Sequence, residues 1–181
     1  MFFSKSAIVI RVNNMNETNL KNFSFFENND TGNLSRKFYS INFYTAENDV
    51  GEIHYSNSFE YGNMNVINFI RKSNLFFLFT SSVQHSRFFK KIIKFLLEDD
   101  EVTFEILKIP IKKNLIQTNI GNNLNIIEAD EIYGVVGMLK FNNVSNLIKI
   151  YNNGLITFPF TNNMDLIKEV INSFIKLLKN D

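Results

Sequence analysis

Short runs of β-branched and aromatic residues, bounded by polar turn residues, recur along most of this chain. Such runs are typical of β-strands, because successive side chains alternate between the two faces of a sheet. They predict strands at 7–12, 38–45, 52–59, 75–80, 102–109, 132–141, 147–151 and 155–158. The run at 75–80, LFFLFT, is apolar at nearly every position, which indicates a strand buried on both faces.

Two longer segments show the spacing of an amphipathic helix instead. Apolar residues in 86–98 and in 165–179 fall on one helical stripe, with polar residues between them. The second segment follows a capping residue, Asn163, and has lysines in its last turn, where the helix dipole favours cations. A shorter helix is predicted at 65–72, and an irregular helix or a loop at 16–26.

Turn signals separate these elements. Asn153-Gly154 lies between two predicted strands and is the strongest short signal for a β-hairpin. Two stretches rich in Asn, 28–32 and 114–125, predict loops.

The order of the elements predicts the α+β class, with a mainly antiparallel sheet and helices packed on one face. We expect a single compact domain over 1–181, with 1–73 and 74–181 as candidate halves. A hairpin followed by a helix is predicted twice, near 38–72 and 146–179. No similarity of residues accompanies the two occurrences.

The C-terminal stretch of strand, Asn153-Gly154 turn, strand and helix resembles one half-repeat of the TATA-binding-protein-like saddle. The resemblance rests on a generic motif and implies a fold only. It carries no function or site residue to this chain, which also lacks a clear basic surface for the underside of such a saddle.

The composition indicates an AT-rich genome. The chain has 29 Asn, 22 Ile and 20 Phe among 181 residues, but only 3 Ala and 2 Pro, and the abundant residues have AT-rich codons. We expect a source such as a low-GC bacterium, its phage or plasmid, an organelle or an insect virus. The hydrophobic content of 45% is ample for a core, whereas disorder requires low hydrophobicity and high net charge.

Charge and cysteine content exclude several function classes. The net charge of +1 argues against a dedicated nucleic-acid-binding protein, because phosphate neutralisation needs a basic excess. With no Cys, disulfides, thiol catalysis and cysteine-ligated metals are excluded. No apolar run has the roughly 20 residues that cross a bilayer, and no signal peptide is recognisable. These features predict a cytoplasmic protein, or one inside an organelle or host cell, without a cofactor.

One candidate site is the turn before the helix at 86–98. Backbone N–H groups at a helix N-terminus favour anions, and Ser82, His85, Ser86 and Arg87 are side chains that bind phosphate or carboxylate. The alternative is structural: Ser82 or Ser86 caps the helix.

A second candidate is the basic region 87–113. Its seven cations form a basic face candidate for nucleic acid, an anionic lipid surface or an acidic partner, the alternative being a solvated helix face. They are Arg87, Lys90, Lys91, Lys94, Lys108, Lys112 and Lys113.

Carboxylates near a predicted strand raise the question of a metal. Glu128, Asp130 and Glu131 carry the oxygen ligands that Mg²⁺ prefers, but neighbouring residues of a strand point to opposite faces. Glu52 and His54 would share a face of the first hairpin. An acidic loop and a solvent-facing strand are the simpler interpretations, and we expect no metal site.

We therefore expect a non-enzymatic binding protein that acts through protein–protein contacts. It would be a regulator or inhibitor from a mobile element, or an accessory subunit of a larger assembly. Most of the many Phe are expected to pack in the core, and any rings in excess of what the core holds would form an exposed aromatic patch that marks a partner interface. The alternatives are a nucleic-acid-binding module using 87–113, and a nucleotide or anion sensor, or an enzyme, at 81–87. An enzyme is not expected, because the chain has two His and no P-loop, GxGxxG or HExxH motif.

Overall fold

The computed structural model of the chain describes residues 2–28, 35–109, 119–120 and 123–179, with the backbone alone at 119–120. The chain divides into two compact units. The N-terminal unit comprises Ile10–Thr80 and Gln84–Glu105, and the C-terminal unit comprises Met1–Val9, Ser81–Val83 and Ile106–Asp181.

Twelve strands and two α-helices lie in the described part of the chain. The strands are β1 (Ser4–Asn13), β2 (Phe23–Asn28), β3 (Arg36–Phe43), β4 (Val50–Ser56), β5 (Asn65–Lys72), β6 (Leu75–Phe79), β7 (Thr103–Ile106), β8 (Asn119–Ile120), β9 (Leu124–Asp130), β10 (Gly134–Phe141), β11 (Val144–Tyr151) and β12 (Leu155–Thr161). The helices are α1 (Ser86–Leu97) and α2 (Met164–Lys179), and single 3-10 turns lie at Glu17–Asn19 and Val83–His85.

In the N-terminal unit, β2 to β6 form an antiparallel meander, and the part of β1 from Ile10 onward lies beside β6. The pairing of β2 with β3 places Phe26 directly opposite Phe38. α1 packs on the face of these strands that carries Tyr39 and Tyr55, and its Phe88 ring stacks on Tyr55 with 3.7 Å between centroids. Phe26 and Phe38 lie on the opposite face. Six apolar side chains of α1 are buried, each contributing about 1.5 to 3 kcal/mol relative to exposure. Packing therefore holds the helix in place.

Arg71 on β5 joins three loops of the N-terminal unit. Its buried guanidinium donates to the backbone carbonyls of Asn48 at 2.9 Å, Glu47 at 2.7 Å and Ser73 at 3.1 Å. It also donates to a carboxylate oxygen of Glu17 at 2.8 Å. Buried charges are stable only when they are paired and hydrogen-bonded, and this one has both kinds of partner.

In the C-terminal unit, β8 to β12 form a second antiparallel meander, and the part of β1 up to Val9 lies beside β12. The predicted turn joins β11 to β12, with Gly154 at φ +86°, where an added Cβ would lie 2.7 Å from the Leu107 carbonyl oxygen. The carboxamide of Asn163 accepts from the backbone N–H of Asp165 and of Leu166, so it caps α2 as predicted.

The predicted α+β class was wrong. Eleven strands occupy the antiparallel sheet order, against two α-helices of 12 and 16 residues, so the fold is all-β-like rather than helices packed on a sheet. The helix predicted at 65–72 is β5, and the interpretation of 16–26 missed β2. The predicted repeat of a hairpin followed by a helix is wrong, because β5 stands where the helix of the first occurrence was expected, whereas β11, β12 and α2 form the second occurrence. The saddle fails because each hairpin belongs to a five-stranded meander.

Several other predictions are confirmed. The hairpin of β3 and β4, the buried strand β6 and both amphipathic helices are present. Most of the predicted loops at 28–32 and 114–125 lies outside the described residues. Neither α1 nor α2 has the length and apolar content needed to cross a membrane, and the described residues contain no other α-helix.

Candidate functional site

The basic residues of α1 lie on its outward side, because its apolar stripe faces the sheet. Among these residues, Lys91 makes an ion pair within the described part of the chain. Its ammonium donates to Glu27 on β2 at 2.5 Å and lies 4.8 Å from the centroid of the Tyr39 ring. A second ammonium, that of Lys37, lies 3.9 Å from the same Glu27 oxygen. The hydrogen bond from Lys91 and the charges of both lysines lower the pKa of Glu27.

Arg87, Lys90 and Lys94 make no ion pair with a described residue. Arg87 is exposed and its guanidinium carbon lies 4.6 Å from the centroid of the Phe88 ring. Lys108 is exposed in the C-terminal unit, whereas Lys112 and Lys113 lie outside the described residues. Arg87, Lys90 and Lys94 are therefore the cations of α1 that make no ion pair with a described residue.

The turn before α1 differs from a serine-capped helix start. His85 precedes the first helical residue, has helical backbone angles, and makes no capping hydrogen bond with its side chain. Its Nδ1 lies 2.5 Å from the Thr80 hydroxyl, and Ser86 is buried. Ser82 is half-buried, while Arg87 points to solvent. The predicted anion site therefore has one exposed cation, and the imidazole beside it is held by a hydroxyl.

Glu128, Asp130 and Glu131 of the C-terminal unit lie in or beside β9. No three His, Asp or Glu side chains are grouped for metal binding in the described part of the chain. Asp130 accepts from the backbone N–H of Ile132 at 2.7 Å and of Tyr133 at 2.9 Å, so its carboxylate stabilises the turn into β10. Glu128 and Asp130 line a cavity of about 180 Å³ that also contains Lys149. Glu131 is exposed.

Glu52 and His54 share a face of β4, as predicted, and contact each other. The Nε2 atom of His54 lies 2.8 Å from a Glu52 oxygen. Removal from water, with the hydrogen bond and charge of Glu52, raises the pKa of Tyr44 to about 12. Glu52 therefore interacts with both His54 and Tyr44, and the three side chains form a local network.

The most distinctive surface of the N-terminal unit is a group of aromatic rings on the face opposite α1. Phe26 on β2, Phe38 on β3 and Phe59 after β4 are in mutual contact, with centroids 5.0 to 5.1 Å apart. The Arg36 guanidinium carbon lies 4.4 Å from the centroid of Phe26. We call these four residues the Phe26 cluster. Phe26 is 45% exposed and Phe59 40%, so the rings pack on one another while facing water.

The loop after β4 holds the Phe26 cluster in shape. Glu60 accepts from the backbone N–H of Arg36 at 2.8 Å and from its Nε at 2.9 Å. These bonds lower the pKa of Glu60 to about 2. Nearby on the chain, Tyr61 is 82% exposed, and Met64 and Val66 are also exposed.

Sequence reasoning gave an exposed aromatic patch only as an alternative to core packing, and it did not identify the members of such a patch. The signal for Phe26 and Phe38 was the alternation of their strands, which places each on the face away from the core residues. The contact with Phe59 depends on the loop after β4, for which the sequence gives no local signal. The Lys91–Glu27 pair was missed as well, because β2 was not recognised.

No known protein family, curated protein or solved structure matches this chain.

Proposed function

We propose that this chain is a non-enzymatic binding protein that acts through protein–protein contacts, and that the Phe26 cluster is its contact surface. The observation that carries the proposal is the packing of three partly exposed Phe rings against one another, with Arg36 stacked on one of them. Aromatic residues and Arg are the residue types enriched at interfaces, and they dominate binding energy when a partner excludes water from them.

The geometry favours a preformed surface. Arg36 is fixed by two hydrogen bonds to Glu60, and Phe38 is opposed to Phe26 by the strand register. A surface already held in its bound arrangement loses little conformational freedom on binding, which favours affinity. Such a protein acts by occupying a partner, as a regulator or inhibitor encoded by a mobile element does, or as an accessory subunit does.

The test is affinity capture from the native cell with the wild-type chain and two variants. Phe59→Asp introduces a charge into the Phe26 cluster, whereas Phe160→Asp makes the same change at a 68% exposed ring of the C-terminal unit. We expect a protein partner that survives nuclease treatment, is lost with Phe59→Asp and is kept with Phe160→Asp. A partner retained equally by both variants, or none at all, would contradict the proposal.

The second candidate is nucleic-acid binding by α1. The observation in its favour is that Arg87, Lys90 and Lys94 project from one helix without an ion pair to a described residue. Phe95 is 49% exposed on the same helix and supplies a ring on which a base can stack. Nucleic acid that co-purifies with the chain and disappears on nuclease treatment would favour this function over the first.

A further inference from the structure

A hollow over β10 in the C-terminal unit follows from the register of three strands. Gly134 on β10 lies opposite Asp130 on β9 and opposite Tyr151 on β11. Because Gly134 has no side chain, the space between the side chains of Asp130 and Tyr151 is open above the sheet. Glycine is required at this position, since φ is +122° and an added Cβ would collide with the carbonyl oxygen of Ile150. The hollow is therefore built into the strand itself.

The next pairing along the same strands supplies charges of opposite sign. Val136 on β10 lies opposite Glu128 on β9 and opposite Lys149 on β11. These three side chains share a face with the row of Gly134, because side chains alternate along a strand. The two rows, together with Tyr133, line a cavity of about 180 Å³, which we call the Gly134 cavity. One wall of this cavity is therefore acidic, and the other carries an ammonium.

The charges of the two walls do not neutralise each other. Neither Glu128 nor Lys149 makes an ion pair with a residue that the structure describes. The strands that carry them are two strand spacings apart, about 9.5 Å, which leaves room for a third group between carboxylate and ammonium. Asp130 is fixed at the acidic wall, because one of its oxygens accepts from the backbone N–H of Ile132 and of Tyr133. The Gly134 cavity therefore presents separated charges to a ligand.

The volume of the Gly134 cavity limits the size of its ligand. A protein cavity of about 150 Å³ holds one benzene molecule, whereas pockets for drug-sized ligands occupy roughly 300 to 1,000 Å³. At about 180 Å³, the Gly134 cavity fits a single free amino acid and is too small for a nucleotide.

Charge selects one class among ligands of this size. Lys149 repels a plain cation, whereas Glu128 and Asp130 repel a plain anion. A zwitterion places its ammonium at the two carboxylates and its carboxylate at the lysine, so all three charged residues attract it. With one charge-assisted hydrogen bond of about 2.8 Å at each end, an α-amino acid spans roughly the distance between β9 and β11.

We propose that the Gly134 cavity binds a free α-amino acid with an apolar side chain. Val136 and the rings of Tyr133 and Tyr151 provide the surface against which that side chain packs. This activity goes beyond the protein contact proposed above, because the Gly134 cavity belongs to the C-terminal unit and the Phe26 cluster to the N-terminal unit.

L-Leucine and two of its analogues test the proposal by NMR. Isopentylamine lacks the carboxylate of leucine, and isocaproate lacks its ammonium. We expect L-leucine to shift the backbone amide signals of Val136 and Lys149. Its dissociation constant should be at least about tenfold lower than that of either analogue, because each analogue loses one charge-assisted contact and meets a like charge.

Two variants separate the two ends of the ligand. Glu128→Gln and Lys149→Gln should each raise the dissociation constant of L-leucine at least about tenfold. Lys149→Gln should also tighten the binding of isopentylamine, because it removes the repelling ammonium, and damage to the fold cannot produce that gain. The matched controls Glu131→Gln and Lys140→Gln change exposed residues that do not line the Gly134 cavity, and they should leave the binding of both ligands unchanged.

Three results overturn the proposal. The first is the absence of any shift at about 10 mM L-leucine, because a ligand with a dissociation constant of about 1 mM is nearly saturating at that concentration. The second is binding of isopentylamine as tight as that of L-leucine, which makes the Gly134 cavity a site for plain cations. The third is equal weakening of L-leucine binding by Lys149→Gln and Lys140→Gln, which places the bound amino acid elsewhere.

Discussion

The guanidinium of Arg71 lies 2.8 Å from the carboxylate of Glu17, although 54 positions separate them in the chain. The two residues differ in exposure, since the side chain of Arg71 is 9% exposed and that of Glu17 is 51% exposed. Arg71 also supplies donors to three backbone carbonyls, so it is the member of the pair on which the surrounding loops depend.

Arg71→Met should lower the free energy of unfolding by about 3 to 5 kcal/mol, because it leaves three backbone carbonyls without the donors that now satisfy them. Glu17→Gln keeps an acceptor at an exposed position and should cost no more than about 1 kcal/mol. Urea unfolding followed by circular dichroism compares the two. Equal losses for both variants would mean that the ion pair, rather than the hydrogen bonds to the carbonyls, carries the effect.

Arg71 also shows why part of the fold was predictable and part was not. The segment NVINFIRK that contains it has apolar residues at 66, 67, 69 and 70, a spacing that fits one side of a short helix. Only pairing with β4 and β6 makes it a strand, and no local pattern reports such pairing. The long stripes of α1 and α2 and the Asn153-Gly154 turn were predictable, because their signals are contained within the elements themselves.

The candidate surface divides in the same way. The cations of α1 were identified from one helix. The Phe26 cluster required the opposition of Phe26 to Phe38 across two strands, of which β2 was not recognised. The residues that flank β2 in the sequence are rich in Asn, as the predicted loops are. The hydrophobic pattern of β2 was therefore hard to distinguish from a loop.

The pH dependence of the Phe26 cluster follows from Glu60. Its pKa is about 2, because the backbone N–H and the guanidinium of Arg36 donate to its carboxylate. A carboxyl whose pKa is lower in the folded chain than in the unfolded chain stabilises the fold above the unfolded value of about 4.5, and this contribution is lost as the pH falls towards 2.

We therefore expect the wild type to exceed Glu60→Gln in unfolding free energy at about pH 6, and the difference to vanish near pH 2. The chemical shift of the Glu60 carboxyl carbon, followed by NMR, should titrate with a midpoint near the folded pKa of about 2. A midpoint close to 4.5 would show that Arg36 does not hold the carboxylate in solution.

Substitutions on α1 test the second candidate function through its salt dependence. Changing Arg87, Lys90 and Lys94 to Gln should alter stability by less than about 0.5 kcal/mol per site, because surface changes away from buried side chains are mild. If α1 binds duplex DNA, the slope of log affinity against log salt should flatten by about 0.9 for each phosphate that the variant no longer neutralises. The matched control changes three exposed lysines elsewhere: Lys5, Lys21 and Lys72. Equal slopes for the two triple variants, or no DNA retention by the wild type at low salt, would remove this function.

The turn before α1 separates a structural role from a ligand site. His85 lies 2.5 Å from the Thr80 hydroxyl, while Arg87 points to solvent, so the two side chains should respond differently to removal. His85→Ala should cost about 1 kcal/mol because it removes that hydrogen bond, and Arg87→Ala less than about 0.5 kcal/mol. A helix N-terminus with one exposed cation is a weak anion site, and we expect neither phosphate nor ATP to change the wild-type melting temperature. Any ligand of the native state raises that temperature. A rise with ATP that disappears in Arg87→Ala would therefore contradict the structural role and make the turn a nucleotide sensor.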